Sequence, residues 1–198
     1  MKFAALSKDA GLIAAAEYAR AHDEAPEHGA QVCRLAMRLF EQTAPLHGLS
    51  NKDKRILAAA ALLHELGWST RPEAHHKGSR DIILELSLPG FEKEDLSMIA
   101  SVAGYHRKAH PKKKDKIYRD LNETAQESVR KLAAILRIAD GFDRAHAETV
   151  KKVKTHWNGK VLTIAVQQEP RSAIDIMGAN RKKDLFEEVF GFHVLIRS

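Results

Sequence analysis

Ionisable side chains interrupt the apolar faces of several predicted helices. They occur where the three- and four-residue spacing of a helix otherwise places alanine, leucine, isoleucine or valine. Burying an unpaired carboxylate costs several kcal/mol, so such groups need a compensating charge. The residues that follow this pattern are His28, His64 with Glu65 at the edge of its face, His106 and Asp140.

A shared divalent cation would neutralise these carboxylates and make ligands of the whole set. Any one histidine on an apolar face is more often a core residue that is hydrogen-bonded to a carbonyl group. The adjacent pair His64-Glu65 also carries little information alone, but the set on separate helices favours a metal centre. Imidazole with carboxylate, and without thiolate, suits manganese, iron, cobalt, nickel or zinc better than magnesium.

More histidines and basic residues follow the third predicted helix. His75 and His76 are adjacent, so we expect at most one to face the metal ligands and the other to contact substrate or solvent. Lys77 and Arg80 lie near the predicted start of the next helix, where free backbone N–H groups favour anions. A polar connecting loop with a serine cap explains this segment equally well.

The net charge of +6 comes from one segment. Between Arg107 and Arg119 there are seven basic residues and one acidic residue, so the rest of the chain is neutral overall. Most charge runs are solvated loops, but Arg107 and Lys108 directly follow His106, where they are well placed to hold phosphate. Tyr118 is the one aromatic neighbour and there is no recognition-helix signature, so double-stranded nucleic acid is not predicted as a partner.

The composition is that of a folded protein, with 44% hydrophobic and 29% charged residues in 198 positions. It excludes a disordered chain, and no apolar run approaches the roughly 20 residues that a membrane span requires. The sequence shows no secretory signal pattern, and its single cysteine, Cys33, cannot form an internal disulfide. We therefore expect a cytoplasmic protein.

Helical periodicity dominates the first three quarters of the chain, and a β pattern follows. Alternating residues on both sides of Asn158-Gly159 predict a hairpin. We predict a mostly α fold with a helical-bundle domain over 1–148 and a small β-β-α-β subdomain over 149–198. The predicted helices span 8–21, 27–44, 51–66, 79–87, 92–106, 122–143 and 173–190, with the hairpin over 153–166 and a last strand over 192–196.

The order of these motifs resembles the HD superfamily of metal-dependent phosphohydrolases: a histidine, an adjacent histidine-carboxylate pair, and an aspartate near the end of a later helix. Longer stretches, including "AAALLHELG", "YHRKAHPKK" and "LAAILRIADGFDRA", are similar to the C-terminal part of the Ppx/GppA family. That family comprises exopolyphosphatases and guanosine pentaphosphate phosphohydrolases. The similarity spans about residues 10–198 and implies an HD-domain helical bundle followed by the small α/β subdomain.

The resemblance also implies a ligand set. His28, His64, Glu65 and Asp140 correspond to the metal ligands of the superfamily, with glutamate at position 65 in place of the usual aspartate. The extra methylene of Glu65 moves its carboxylate outward, which alters the geometry of binding. Some members of the superfamily hold a second metal, and the positions that match its ligands are His75 or His76, and His106.

Two functions follow as hypotheses. The first is a metal-dependent phosphohydrolase of HD type that acts on a phosphorylated small molecule, a nucleotide or alarmone-like compound. The second is a non-catalytic polyphosphate- or nucleotide-binding module that partners a separate actin-like phosphatase, because the family's hydrolysis of polyphosphate is attributed to an actin-like half that these residues do not include. Either is compatible with a homodimer. The first assigns catalysis to His64, Glu65 and His106, and phosphate binding to Lys77, Arg80, Arg107, Lys108 and Arg144.

Overall fold

The computed structural model describes residues 8–198, and it confirms a mostly α fold with a small α/β subdomain. Within that range no helix has the length and apolar character needed to cross a membrane. The elements are α1 (Ala10–His22), α2 (Pro26–Gln42), α3 (Ala44–His47), α4 (Asn51–Leu63), α5 (His75–Leu84), α6 (Lys93–Gly104), α7 (Lys116–Arg119), α8 (Glu123–Gly141), β1 (Val150–Trp157), β2 (Val161–Gln168), α9 (Ala173–Lys182), α10 (Asp184–Phe190) and β3 (His193–Arg197), with a 3-10 turn at Pro72–Ala74 before α5.

Side-chain caps explain where several helices begin. Asp9 accepts the N–H groups of the first turn of α1, and Asn122 accepts one from the first turn of α8. At α4, Ser50 and Asp53 form a reciprocal capping box. Caps of this kind contribute about 1 kcal/mol each because they satisfy N–H groups that have no partner inside the helix.

Helix α4 runs through the centre of the bundle. Every residue from Ile56 to Leu63 is buried, and the four in the middle are alanines. These small side chains allow α1, α2, α6 and α8 to approach α4 from different sides. The C-terminal end of α4 therefore delivers His64 and Glu65 into the interior of the bundle.

Several predicted helix boundaries are wrong, and two of the differences concern functional residues. Helix α4 ends at Leu63, three residues early, because the chain turns sharply and Gly67 packs on α5, where a Cβ would lie 2.3 Å from the carbonyl oxygen of His75. Helix α5 begins at His75, four residues before the predicted start. Ser79 is consequently inside α5, where its hydroxyl donates to the carbonyl oxygen of His64 at 2.6 Å.

The C-terminal subdomain has the order β-β-α-α-β rather than the predicted β-β-α-β. The hairpin of β1 and β2 forms around Asn158, whose side chain accepts the N–H groups of Lys160 and Val161. Strand β3 then pairs parallel to β2. The predicted helix over 173–190 is divided at Lys183 into α9 and α10.

Helix α9 packs closely against the end of α8. A Cβ on Gly141 would lie 2.5 Å from the Cα of Ala179, and one on Gly178 would lie 2.5 Å from the carbonyl oxygen of Gly141. Glycine at both positions permits this approach, since a larger residue would meet main-chain atoms. The contact holds the last turn of α9 beside the last turn of α8, where Asp140 lies.

Candidate metal centre

Five helices bring histidine and carboxylate side chains to one place inside the bundle. All of these side chains are buried. Their positions follow directly from the element boundaries, since each lies on the inward face or at the inward end of its helix. The residues are His28 of α2, His64 and Glu65 after α4, His75 of α5, His106 after α6 and Asp140 of α8.

The four metal ligands expected from the sequence lie together. Asp140 Oδ1 is 3.5 Å from His28 Nε2 and 3.9 Å from His64 Nε2. Glu65 Oε1 is 3.7 Å from the same His64 nitrogen. His28, His64 and Glu65 form one group of donor atoms that could hold a metal ion, and Asp140 adjoins this group through His28 and His64.

A second group of donors shares the Glu65 carboxylate. Glu65 Oε1 lies 3.2 Å from His75 Nε2 and 3.4 Å from His106 Nε2, and the two nitrogens are 3.2 Å apart. Two ligands of a tetrahedral zinc ion, each about 2.0–2.1 Å from the metal, are separated by about 3.3 Å. The triangle therefore has the size of one face of such a coordination sphere. Of the adjacent histidines, His75 belongs to this group and His76 does not.

Each of the four histidines uses its Nδ1 atom to hydrogen-bond an oxygen at the edge of the cluster. An N–H on Nδ1 that donates to this oxygen leaves the lone pair on Nε2, which points to the centre. Metal-binding histidines characteristically have such a partner on the second ring nitrogen. The acceptors are Asp143 Oδ2 for His28 (2.8 Å) and the carbonyl oxygens of Ala61 for His64 (2.8 Å), Pro72 for His75 (3.0 Å) and Ala103 for His106 (2.7 Å).

Two donor atoms in the centre have no partner. The Nε2 atoms of His28 and His64 are fully buried, and neither forms a hydrogen bond with any group in residues 8–198. Buried polar atoms are nearly always paired, so these two nitrogens require an explanation. Four imidazole nitrogens and two carboxylates constitute a donor set that fits a divalent transition metal.

The surroundings of the carboxylates lower their pKa values, and burial lowers the pKa values of two of the histidines. Burial alone would raise the pKa of Glu65, but the nearby imidazoles of His75, His64 and His106 lower it to about 2. Burial likewise opposes ionisation of Asp140, yet the positive charge of Lys182 and the nearby imidazole of His28 hold its pKa well below the usual range. Burial lowers the pKa of His64 and of His106. All four shifts favour the deprotonated forms, which are the forms that bind metal.

His28 differs from the other histidines because two carboxylates contact it. Burial would lower its pKa, but the negative charges of Asp140 and Asp143 outweigh burial and raise the pKa to about 9. The ring of His146 stacks on His28 in parallel, with centroids 3.8 Å apart. Without a cation in the centre, this raised pKa favours the imidazolium form of His28 at neutral pH.

Lys182 also belongs to the site, although the sequence did not predict it. Its ammonium group on α9 forms an ion pair with Asp140 Oδ2, the oxygen that faces away from the histidines. No sequence pattern connects Lys182 with Asp140, because the contact depends on how α9 packs on α8. Asp143 and His146 were likewise not predicted as site residues; Asp143 follows Asp140 by three residues but lies just beyond the end of α8.

A cavity of about 970 Å³ opens beside the cluster. Arg107 and Arg144, two of the predicted phosphate-binding residues, are in its wall. The other three predicted residues are not among the described lining side chains: Lys77 is exposed, Arg80 pairs with two aspartates, and Lys108 donates to the main chain. The lining residues include Asp23, Glu24, Glu65, Trp68, Pro72, Glu73, His75, Arg107, Asp140, Arg144, His146 and Lys182.

The protein is a mostly α bundle with a small C-terminal α/β subdomain and a buried cluster of histidines and carboxylates. The model of the family described as Ppx/GppA phosphatase, domain III, matches residues 14–181. This match covers most of the chain, so the protein belongs to the Ppx/GppA phosphatase domain III family. The resemblance inferred from the sequence motifs is confirmed.

Proposed function

We propose that this protein is a metal-dependent phosphohydrolase of HD type that acts on a phosphorylated small molecule, a nucleotide or alarmone-like compound. The observation that carries the proposal is the donor triangle of Glu65, His75 and His106, with edges of 3.2 to 3.4 Å, next to the unpaired Nε2 atoms of His28 and His64. Membership of a phosphatase family supports the same chemistry.

The donor set favours manganese, iron, cobalt, nickel or zinc over magnesium. His28, His64, Glu65 and Asp140 would hold one ion, and His75 and His106 would complete a second group with Glu65. Bound there, a divalent cation would polarise a phosphoryl oxygen and lower the pKa of water.

The protein's own side chains would bind and orient the phosphate. Arg107, Arg144 and Lys182 line the cavity beside the ligand cluster, so their positive charges would neutralise phosphate oxygens and stabilise charge that develops during hydrolysis. Glu65 and His75 lie at the cavity wall as well, whereas His64 and His106 are fully enclosed. The substrate would thus meet Glu65 and His75 directly, and His64 and His106 would hold the centre from behind.

The test uses the full chain after removal of metal by a chelator. The protein is reloaded with each of the five metals separately, and phosphate release is measured from nucleotides, alarmone-like compounds, polyphosphate and a generic aryl phosphate. We expect turnover with at least one metal and its loss in His64→Gln. If no metal supports turnover, or His64→Gln is as active as the parent, the proposal fails.

His47→Gln is the matched control. His47 is also buried, but its ring nitrogens are both satisfied, by the carbonyl oxygen of Phe40 and the N–H of Leu49, each at 2.9 Å. This variant should lose stability and keep its activity per folded molecule, which separates loss of a ligand from loss of a buried histidine.

A non-catalytic polyphosphate- or nucleotide-binding module that partners an actin-like phosphatase is the second candidate. One observation favours it: Lys112, Lys113 and Lys114 are all exposed, outside the wall of the cavity. Binding of this kind would weaken steeply with salt and survive removal of metal. If replacement of the three lysines by alanine leaves polyphosphate affinity unchanged, this candidate is excluded.

A further inference from the structure

Trp68 presents an aromatic surface at the cavity. It follows α4 in the turn that leads to α5, and 42% of its surface is exposed, although large apolar side chains are usually buried in folded proteins. Its ring packs on His75, with centroids 4.7 Å apart, and it lines the cavity together with Pro72. An exposed indole supported from one side by the ligand cluster offers a platform for a planar ring.

Asp23 contributes an unsatisfied acceptor to the same cavity. Its Oδ1 atom accepts the N–H of Ala25 at 2.9 Å. Its Oδ2 atom is buried and forms no hydrogen bond within the part of the chain that the structure describes. A buried carboxylate oxygen without a donor is costly, so an N–H or O–H group of a ligand that reached this atom would relieve that cost.

The cavity wall carries both signs of charge. Apart from the ligand cluster, its described charged side chains comprise the three acidic residues Asp23, Glu24 and Glu73 and the three basic residues Arg107, Arg144 and Lys182. Inorganic polyphosphate is negative along its whole length and has no N–H donor, so acidic residues in the wall would repel it. A molecule with phosphate at one end and an uncharged, donor-bearing ring at the other matches both kinds of residue.

We infer that the cavity contains a nucleobase subsite, in which the base stacks on Trp68 and donates an N–H group to Asp23 Oδ2. The phosphate then lies toward Arg107, Arg144 and Lys182. This inference rests on the proposed function and narrows its substrate class to nucleotides, with polyphosphate excluded. Stacking on tryptophan supplies affinity, and the Asp23 carboxylate favours bases with an exocyclic amine.

The experiment measures binding rather than turnover. The full chain carries Trp157→Phe, which removes the other tryptophan at the exposed end of β1, so that fluorescence reports Trp68 alone. The ligands are the four nucleoside 5′-monophosphates, ribose 5-phosphate and tripolyphosphate, added in the presence of Mn²⁺. We expect the amine-bearing nucleotides to quench Trp68 and to bind about tenfold more tightly than either ligand without a base.

Two substitutions at Trp68 separate stacking from folding. Trp68→Ala should reduce nucleotide affinity about tenfold and leave the affinity for ribose 5-phosphate unchanged. Trp68→Phe retains an aromatic face and should keep most of the nucleotide affinity, so the inference remains testable if the alanine variant does not fold. Calorimetry measures both variants, which lack the fluorescence signal.

Asp23→Asn tests the acceptor. Asparagine retains Oδ1 for the N–H of Ala25 but replaces Oδ2 with an amide donor, so amine-bearing bases should lose about tenfold in affinity while ribose 5-phosphate is unaffected. Glu27→Gln, an exposed change nearby on α2, serves as the control and should alter nothing.

Several outcomes overturn the subsite. One is equal affinity of the parent for nucleotides and for ribose 5-phosphate. Another is a higher affinity for tripolyphosphate than for nucleotides. A third is a Trp68→Ala variant that loses the same fraction of its affinity for every ligand. A change of oligomeric state in Trp68→Ala with nucleotide affinity intact overturns it as well, since Trp68 would then be a protein contact. Failure of the proposed function is distinguishable: nucleotide binding that depends on Trp68 without any hydrolysis refutes the hydrolase alone. Hydrolysis of ribose 5-phosphate and nucleotides with equal kcat/KM refutes the subsite alone.

Discussion

The Nε2 atoms of His75 and His106 lie 3.2 Å apart, although each ring has its Nδ1 atom hydrogen-bonded to a main-chain carbonyl oxygen. When both N–H groups are on Nδ1, two nitrogen lone pairs face each other across this distance. Such an arrangement is stabilised by a cation that both nitrogens share. A cation bound by both nitrogens would therefore tie the start of α5 to the end of α6.

Metal should consequently stabilise the fold, and His106→Gln should reduce that stabilisation. A ligand that binds only the folded state adds about 2.7 kcal/mol at one hundred times its dissociation constant. We expect thermal unfolding of the parent to shift upward with added transition metal and downward with chelator, and the shift to shrink in His106→Gln. His47→Gln should begin from a lower midpoint but show the full shift. Identical midpoints with metal and with chelator would refute metal binding here.

The sequence identifies the part of the site that depends on helical periodicity. His28, His64 and Asp140 interrupt regular apolar faces, and a bundle must turn such faces toward each other, so their meeting could be predicted. The position of Lys182 beside them could not be predicted, because it depends on the glycine contact between α9 and α8. Trp68 lies in a turn without periodicity, which leaves nothing in the sequence to indicate its neighbours.

The start of α5 shows how a boundary error changes a functional prediction. Ser79 has the residue type of a helix cap, and placing the start there put Arg80 among the free N–H groups of a first turn. The helix in fact begins at His75, since Gly67 allows the preceding turn to pack on it. Arg80 is therefore in the second turn, where it pairs with Asp115 instead.

Metal affinity should depend on pH through His28. The pKa of His28 is raised from 6.5 to about 9 by Asp140 and Asp143, so the imidazolium stabilises the metal-free protein below pH 6.5 and that contribution is lost as the pH rises through 9. Metal at Nε2 must displace this proton. We expect affinity to rise about tenfold per pH unit between pH 6.5 and 9 and then to level off, as measured by competition with a chelator of known affinity.

Asp143→Asn provides the check on this pH dependence. It weakens the hydrogen bond that His28 Nδ1 donates at 2.8 Å, so the pH at which affinity levels off should fall. Two results would show that another group controls metal binding. One is a metal affinity of the parent that does not change between pH 6.5 and 9. The other is an Asp143→Asn variant whose affinity levels off at the same pH as the parent.

Lys182 should contribute most to the stability of the fold when no metal is bound. The side chain of Asp140 is only 7% exposed and that of Lys182 20% exposed, so Lys182→Met leaves a buried carboxylate without its ammonium partner. Loss of one partner of a buried ion pair costs about 3 kcal/mol. We expect urea unfolding to show a loss of that order in the metal-free variant and a smaller loss once metal neutralises Asp140. Arg181 is exposed and adjacent in sequence, so Arg181→Met should leave the free energy of unfolding unchanged. If Lys182→Met loses the same free energy of unfolding with and without metal, this role of Lys182 is contradicted.

Glu65→Asp tests whether the longer side chain is what joins the two donor groups. Glu65 Oε1 is 3.2 Å from His75 Nε2, 3.4 Å from His106 Nε2 and 3.7 Å from His64 Nε2, so one carboxylate oxygen reaches both groups. Aspartate withdraws the carboxylate by one methylene, and we expect metal affinity to fall by about 10- to 100-fold. Glu73→Asp, on the same cavity wall but outside both donor groups, should leave metal affinity unchanged. If Glu65→Asp binds metal as tightly as the parent or more tightly, the shorter carboxylate reaches the same donors and the glutamate does not determine the geometry of the centre.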